Sequence, residues 1–504
     1  MKQGFLIKNI FLLSVILLFM GSKNVFSAGV ERPKLVVGIV VDQMRWDYLY
    51  RYYDLYTDGG FKRLMNEGYN FENTMINYLP AYTAVGHTSI YTGTVPSVHG
   101  IAGNTFCEDG KWIYCCEDET VKTVGSDTEA GRMSPRNMLS STIGDELKLA
   151  TAYNSKVIGV SLKDRAAILP AGHSADAAYW MDFKTGRFVS STFYMDELPG
   201  WVSDYNKTIG KVTKAQIQYT ELGNKLTAEM AKAAIEGEKL GLEDRTDMLA
   251  VSFSCTDMVG HKYGTHSEKT KETYLDVDKR LADFFVFLDE KIGNDRYVVF
   301  LTADHGAANN ILMQREHGVP VEGFFQNKTE KELNDYLAGK YNVKEKLVSS
   351  FGNDYVFLNH KAIDESDIDE DDLREDIISK LEENPIFAYV VDMKRLGDAV
   401  VPDVIKEKII NGHNHRRCGD IRFILRTGCY EIYGDKIDGG TTHGAWNPYD
   451  AHIPFLMMGW NVKHGKTQKR LSITDIAPTV CALIHVQMPS GCIGSPVDCM
   501  MKEQ

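Results

Sequence analysis

Apolar residues gather in this chain into short unbroken runs, each closed by polar residues. The first is Leu35-Val-Val-Gly-Ile-Val-Val41. It has no polar position, which predicts a strand covered on both faces, as in the middle of a parallel sheet. Residues 156–160, 247–254, Tyr297–Thr302 and 453–458 predict further buried strands. Between them the apolar spacing turns helical. Residues 46–56, 61–66, 83–91, 137–151 and 227–238 read as helices, and 268–292 as a long amphipathic one. Residues 93–104, with Pro96, Gly100 and Gly103, read as a loop. A final helix opens near Thr474. Strand, loop and helix in alternation predict an α/β fold, a mainly parallel central sheet flanked by helices.

Two stretches depart from the alternation. Residues 179–205, rich in aromatics, Gly and Thr, read as a hairpin excursion. Residues 309–433 read as an inserted α+β lobe, which leaves 28–308 and 434–504 as the core. Within the lobe the acidic block 364–376 opens a helix and reads as a solvated face, since it lacks the glycine and spacing of a calcium loop.

The N-terminus reads as a targeting segment. Lys2 and Lys8 precede an apolar run at 10–20, and Val25-Phe26-Ser27 before Ala28 resembles a cleavage site. A signal peptide over 1–27 predicts a periplasmic or secreted protein. No Cys lies near the cleavage point, and no later stretch reaches the roughly 18 apolar residues of a membrane span, so no stable membrane anchor is expected. Export permits disulfides among the nine cysteines. Cys107 with Cys115 or Cys116, Cys418 with Cys429, and Cys492 with Cys499 are local candidates, and Cys255 reads as a free buried thiol.

The 504 residues carry a net charge of −13, which argues against a general nucleic-acid binder. The chain is long enough for one large α/β domain with insertions. Oligomeric state is left open, and a monomer fits.

Chemistry-bearing residues fall just after the predicted strands, where open α/β sheets bind ligands. Asp42 follows the first. Asp257 and His261, four apart, share one face of a helical turn. Asp304 and His305 follow another strand, with Gly306 to let the backbone turn away. His443 lies between Thr442 and Gly444. Three carboxylates and three imidazoles suit zinc or a similar divalent ion, and they are too many for one ion with an open position. Two ions can share them, and two metals about 4 Å apart serve phosphoryl transfer. Thr83 sits at or near the first turn of the 83–91 helix, where N–H groups and the helix dipole favour an anion. It reads either as a plain N-cap or as a nucleophile. His87, His99, His173, His317 and His452 read as structural or surface residues.

The order Asp42, Thr83, Asp257/His261, Asp304/His305, His443 resembles the alkaline phosphatase superfamily. The resemblance implies one zinc on Asp257, His261 and His443, and a second on Asp42, Asp304 and His305 that also meets the Thr83 oxygen. Thr83-Ala-Val-Gly-His replaces the Cys/Ser-x-Pro-x-Arg motif of sulfatases. Asn104 suits both the monoesterase and the nucleotide pyrophosphatase/phosphodiesterase branches. Ser161-Leu-Lys163-Asp-Arg165 resembles the phosphate-irrepressible, PafA-type alkaline phosphatases, in which a Lys and an Arg two residues apart bind the transferred phosphoryl group. That implies an exported two-zinc hydrolase of small phosphate monoesters, working through a phospho-threonine, with no third metal because Lys163 and Arg165 fill its place. A diesterase of the same superfamily, a binding protein without turnover and a metal-dependent phosphomutase are the alternatives.

Overall fold

The computed structural model describes residues 31–502, so the expected signal peptide lies outside the described residues. The main sheet has ten strands: β1 (Leu35–Val41), β2 (Tyr69–Phe71), β3 (Thr123–Val124), β4 (Val157–Ser161), β5 (Ala177–Asp182), β6 (Arg187–Ser191), β7 (Asp247–Phe253), β8 (Tyr297–Thr302), β9 (Phe455–Gly459) and β10 (Gly465–Thr467). Their order is β10-β2-β9-β8-β1-β7-β4-β5-β6-β3. The centre from β8 to β5 is parallel, whereas β9 and β6 run antiparallel beside it. Every residue of β1, β4, β5, β7 and β8 is buried. Two covered faces account for the apolar runs that mark β1, β4, β7 and β8 in the sequence.

Four helices frame the C-terminal ends of the central strands: α1 (Thr83–Thr92), α2 (Asp164–Ala171), α3 (Cys255–Tyr263) and α4 (Glu268–Lys291). All ten residues of α1 are buried. Its polar side chains are satisfied locally: the hydroxyls of Thr88 and Thr92 donate to the carbonyls of Ala84 and Thr88, each at 2.7 Å. Among the described residues no helix is long and apolar enough to cross a membrane.

Between β8 and β9 the chain builds a second, four-stranded antiparallel sheet, ordered Val348–Gly352, Tyr355–Leu358, Ile421–Leu425 and Phe387–Asp392. Helices Gln326–Tyr341 and Glu370–Glu382 accompany it, and Leu333, Leu337, Phe351, Ile377 and Phe423 share its own hydrophobic cluster. Helix Asp403–Gly412 reaches back to the segment that leads into α1. Leu79 N donates to Lys408 O at 3.1 Å, and Asn411 Nδ2 to Asn77 O at 2.7 Å.

Several local expectations change. The stretch expected as one helix over 46–56 holds only the turn Tyr48–Arg51 and a short 3-10 segment, Tyr53–Leu55. The helix expected from 137 begins at Ile143, because Thr142 and Asp145 form a reciprocal capping box there. The loop at 93–104 includes a short helix, Pro96–His99, started by proline. None of the cysteine pairs is bridged, and all nine thiols are free. Cys418 and Cys429 flank the extended strand Ile421–Leu425, which holds them apart. Cys107 pairs across a hairpin with Trp112, so Cys115 and Cys116 lie beyond its far end.

Candidate active site

Strand ends deliver the carboxylates. After β1 the chain turns sharply at Gln43, whose φ is 64°, and Asp42 N still donates to Phe253 O at 3.2 Å, so Asp42 stays at the sheet edge. After β7 the chain enters α3, with Asp257 in its first turn and His261 in its last. His261 Nε2 lies 3.1 Å from Asp257 Oδ1. After β8, Asp304 and His305 are fully buried. His443 comes back from the lobe and stacks on His305, ring centroids 3.5 Å apart. The expected ligands thus meet as two groups, Asp257/His261/His443 and Asp42/Asp304/His305, with donor atoms in each group within 4.8 Å of one another.

Each histidine is oriented from behind. Nδ1 of His261, His305 and His443 lies 2.9, 2.9 and 2.7 Å from the carbonyls of Thr441, Gly306 and Ala81. A carbonyl only accepts, so Nδ1 carries a proton in each, which leaves Nε2 as the ring atom that faces the site and that a metal would take. Burial and the neighbouring His305 drive His443 well below the usual imidazole range and keep it neutral. Burial, reinforced by Asp304, pushes Asp42 well up, with Lys163 opposing. Burial also disfavours the ionised form of Asp257, but His261 and Lys163 outweigh it and hold that carboxyl well down.

The donor set fits divalent ions. Asp42 Oδ1 is buried without a hydrogen-bond partner. Such atoms are costly unless something pairs with them, and a cation does.

Thr83 is not the N-cap. That position belongs to Tyr82, which makes no side-chain cap, and Thr83 is the first helical residue. Its hydroxyl lies instead 3.5 Å from His305 Nε2 and 3.4 Å from Lys163 Nζ. Lys163, immediately before α2, places its ammonium 2.6 Å from both Asp42 Oδ2 and Asp257 Oδ2, between the two groups. The sequence reading gave it only a phosphoryl contact. Asn104 Oδ1 accepts from Ala84 N at 3.0 Å, which leaves its NH2 free to donate. Arg165 Nη1 donates to Tyr114 OH at 3.0 Å, and its Nε is buried and unpartnered. A cleft of about 660 Å³ opens beside His261, His443 and Asn104, walled on the lobe side by Phe351 and Tyr433.

Two supporting residues escaped the sequence reading. Gln43 Nε2 donates to Asp257 Oδ1 at 2.6 Å, and its backbone N donates to Asp304 Oδ1 at 3.1 Å. Gly260 makes room for it: a Cβ there would lie 1.8 Å from Gln43 Oε1. His87, read as structural or surface, is fully buried with Nδ1 2.9 Å from Thr83 O and 3.1 Å from Asp304 Oδ2. Its place four residues after Thr83, on the same helix face, was the available signal.

Residues 36–448 match the family described as type I phosphodiesterase / nucleotide pyrophosphatase. The chain is 43% identical to alkaline phosphatase PafA of Elizabethkingia meningoseptica, over 93% of this chain and 94% of that one. It is 44% identical to alkaline phosphatase PhoV of Synechococcus elongatus, with 95% of both covered, and 44% identical to a Myroides odoratus protein named calcium-transporting ATPase, with 94% and 95% covered. The crystal structure of PafA superposes with a TM-score of 0.90 over 94% of this chain and 100% of that one. The chain therefore belongs to the type I phosphodiesterase / nucleotide pyrophosphatase family, in its PafA-type alkaline phosphatase branch.

Proposed function

We propose that the protein is an exported two-zinc phosphatase that hydrolyses small phosphate monoesters through a phospho-threonine, with broad phosphate scavenging as its use. Asp257, His261 and His443 would hold one ion, and Asp42, Asp304 and His305 the other, with the Thr83 oxygen as a further ligand of the second. When bound, the ions supply Lewis-acid chemistry, making the Thr83 hydroxyl acidic and stabilising the leaving oxygen.

Thr83 Oγ1 gives up its proton to solvent and forms a bond to phosphorus, in line with the leaving oxygen. The bond from phosphorus to that oxygen breaks, and the alcohol departs with a proton from solvent. Water then attacks the phosphorus of the phospho-threonine and gives its proton to solvent. The bond from phosphorus to Thr83 Oγ1 breaks, Thr83 regains its proton from solvent, and inorganic phosphate is released. Throughout, Asn104, Lys163 and Arg165 face the charge on the non-bridging oxygens. A monoester dianion carries charge that a diester lacks, and two cations favour it, Arg through a planar fork and Lys as a point charge.

One observation carries the reading: Lys163 Nζ lies 3.4 Å from Thr83 Oγ1, two residues from Arg165, so cationic charge is gathered beside the nucleophile. The experiment is turnover of an aryl phosphate monoester against its alkyl aryl diester on zinc-loaded protein. A monoester preference is expected, and a clear diester preference overturns the reading in favour of a phosphodiesterase.

A further inference from the structure

Asn104 and Tyr114 are the two feet of one hairpin. Strand Thr105–Glu108 pairs antiparallel with Lys111–Tyr114, Thr105 opposite Tyr114. Cys115 N donates to Asn104 O at 3.0 Å and closes the base. One foot thus meets the N-terminus of α1 through Ala84 N, and the other meets α2 through Arg165. Near the hairpin's turn, Trp112 packs edge-on against Phe357 of the lobe sheet at 5.1 Å, so the hairpin is held at both ends.

The contact with Arg165 has a direction. A tyrosine hydroxyl has one proton to donate and lone pairs with which to accept. Tyr114 OH gives that proton to Asp164 Oδ1 at 2.5 Å, so its oxygen accepts from Arg165 Nη1 at 3.0 Å. The direct approach of Arg165 Nη1 to Asp164 Oδ1 is 3.9 Å, too long for a hydrogen bond. Tyr114 is therefore interposed between a guanidinium and the carboxylate of its own sequence neighbour. Without the hydroxyl, Asp164 is the strongest nearby acceptor, and the fork of Arg165 turns onto it and away from the site. With it, one nitrogen is fixed and the unpartnered Nε remains to donate.

We infer that Tyr114 is a positioning residue that holds the Arg165 guanidinium in place for the phosphoryl group; this deepens the monoesterase reading above and rests on it.

The test is a double-mutant cycle on the full, zinc-loaded chain, with Tyr114→Phe, Arg165→Ala and the pair, each assayed on an aryl phosphate monoester and an alkyl aryl diester. Tyr114→Phe removes one oxygen from an otherwise retained ring, and a thermal melt checks folding. Expected is a roughly ten-fold loss of monoester kcat/KM, the scale of a hydrogen bond to a charged group. The diester stays within a factor of about two, and Tyr114→Phe costs nothing more once Arg165 is alanine. Equal losses on both substrates from Tyr114→Phe, or losses that add to those of Arg165→Ala, overturn the inference. If Arg165→Ala alone harms both substrates equally, it is the monoesterase reading that fails, and the cycle still reports whether Tyr114 acts through Arg165.

Discussion

The ammonium of Lys163 lies 2.6 Å from Oδ2 of Asp42, and an equal 2.6 Å from Oδ2 of Asp257. Those two carboxylates belong to different ligand groups, so Lys163 shares acceptors with both proposed ions. A cation that faces substrate and a cation that competes with metal have opposite signatures. Lys163→Ala is expected to lower monoester kcat/KM by roughly 10²–10³, the range for one electrostatic donor at a transition state. Its affinity for divalent metal, measured by chelator competition, stays equal or rises. A fall in metal affinity would mean that Lys163 holds the carboxylates in place rather than competing for them.

Thr83 Oγ1 is the one hydroxyl within hydrogen-bond range of both His305 and Lys163 among the described contacts. Thr83→Ala is expected to abolish acid-stable phosphate labelling of the protein and to cut kcat by roughly 10³ or more, as removal of a nucleophile does. Thr83→Ser retains labelling, because the hydroxyl is kept. Chelation removes activity from the parent, and about two zinc ions per chain restore it. Labelling of the Thr83→Ala protein would point to another nucleophile.

Much of this was legible in the sequence because the central strands are covered on both faces. β1 and β8 read as near-continuous apolar runs and β7 as an apolar run broken only by Asp247 and Ser252, and Asp42, Asp257 and Asp304 follow them within a few residues. The links that tune the site were not legible. Gln43 meets Asp304 across 261 positions, and Lys163 meets Asp42 across 121. Such contacts depend on strand order, which local periodicity does not encode. Helix α1 is buried all round, so its apolar stripe carries no direction. The hold of Asn411 on the segment before Thr83 likewise joins residues 334 positions apart.

His87 supports Asp304 through Nδ1, 3.1 Å from Asp304 Oδ2, with Nε2 anchored 2.8 Å from Ser252 Oγ. Partners behind a metal ligand typically set affinity by 10–100-fold. His87→Ala is expected to weaken binding at the Asp42/Asp304/His305 group by about that factor. Metal content after dialysis against graded chelator, with circular dichroism to confirm folding, reads it. Unchanged metal affinity would reduce His87 to a packing residue.

Asp450 supplies a pH dependence separate from the ligands. Burial pushes its carboxyl up to about 8, and its Oδ2 accepts from Ala445 N at 2.8 Å, just after His443. In the unfolded chain an aspartate titrates near about 3.9. Between those values the folded state holds a proton that the unfolded state has lost. The contribution to stability is therefore full below about pH 4 and declines as pH rises towards about 8. Asp450→Asn does not titrate. The Tm difference between variant and parent is expected to grow in favour of the variant from pH 5 to pH 8, and a constant difference would show Asp450 ionised throughout.

Two glycines in helices, Gly86 and Gly339, make a test of opposite sign. Alanine is intrinsically the better helix residue, by roughly 0.5–1 kcal/mol. At Gly339, exposed in helix Gln326–Tyr341, a Cβ meets nothing within 4 Å. Gly339→Ala is expected to raise stability by about 0.5–1 kcal/mol and leave turnover alone. At Gly86, in the first turn of α1, a Cβ would lie 2.3 Å from Asp304 O and 2.7 Å from its Cα. Those are backbone atoms and cannot swing aside as a flexible side chain would. Either α1 moves, carrying Thr83, or the Asp304–His305 corner moves, carrying two of the proposed ligands. Displacement of a reacting group by about 1 Å costs on the order of 10²-fold. Gly86→Ala is therefore expected to lose at least that much kcat/KM and to destabilise the fold despite its better helix propensity. Full activity in Gly86→Ala would show that α1 and β8 can separate without disturbing the nucleophile, and that the close approach of the two backbones is not what sets the site.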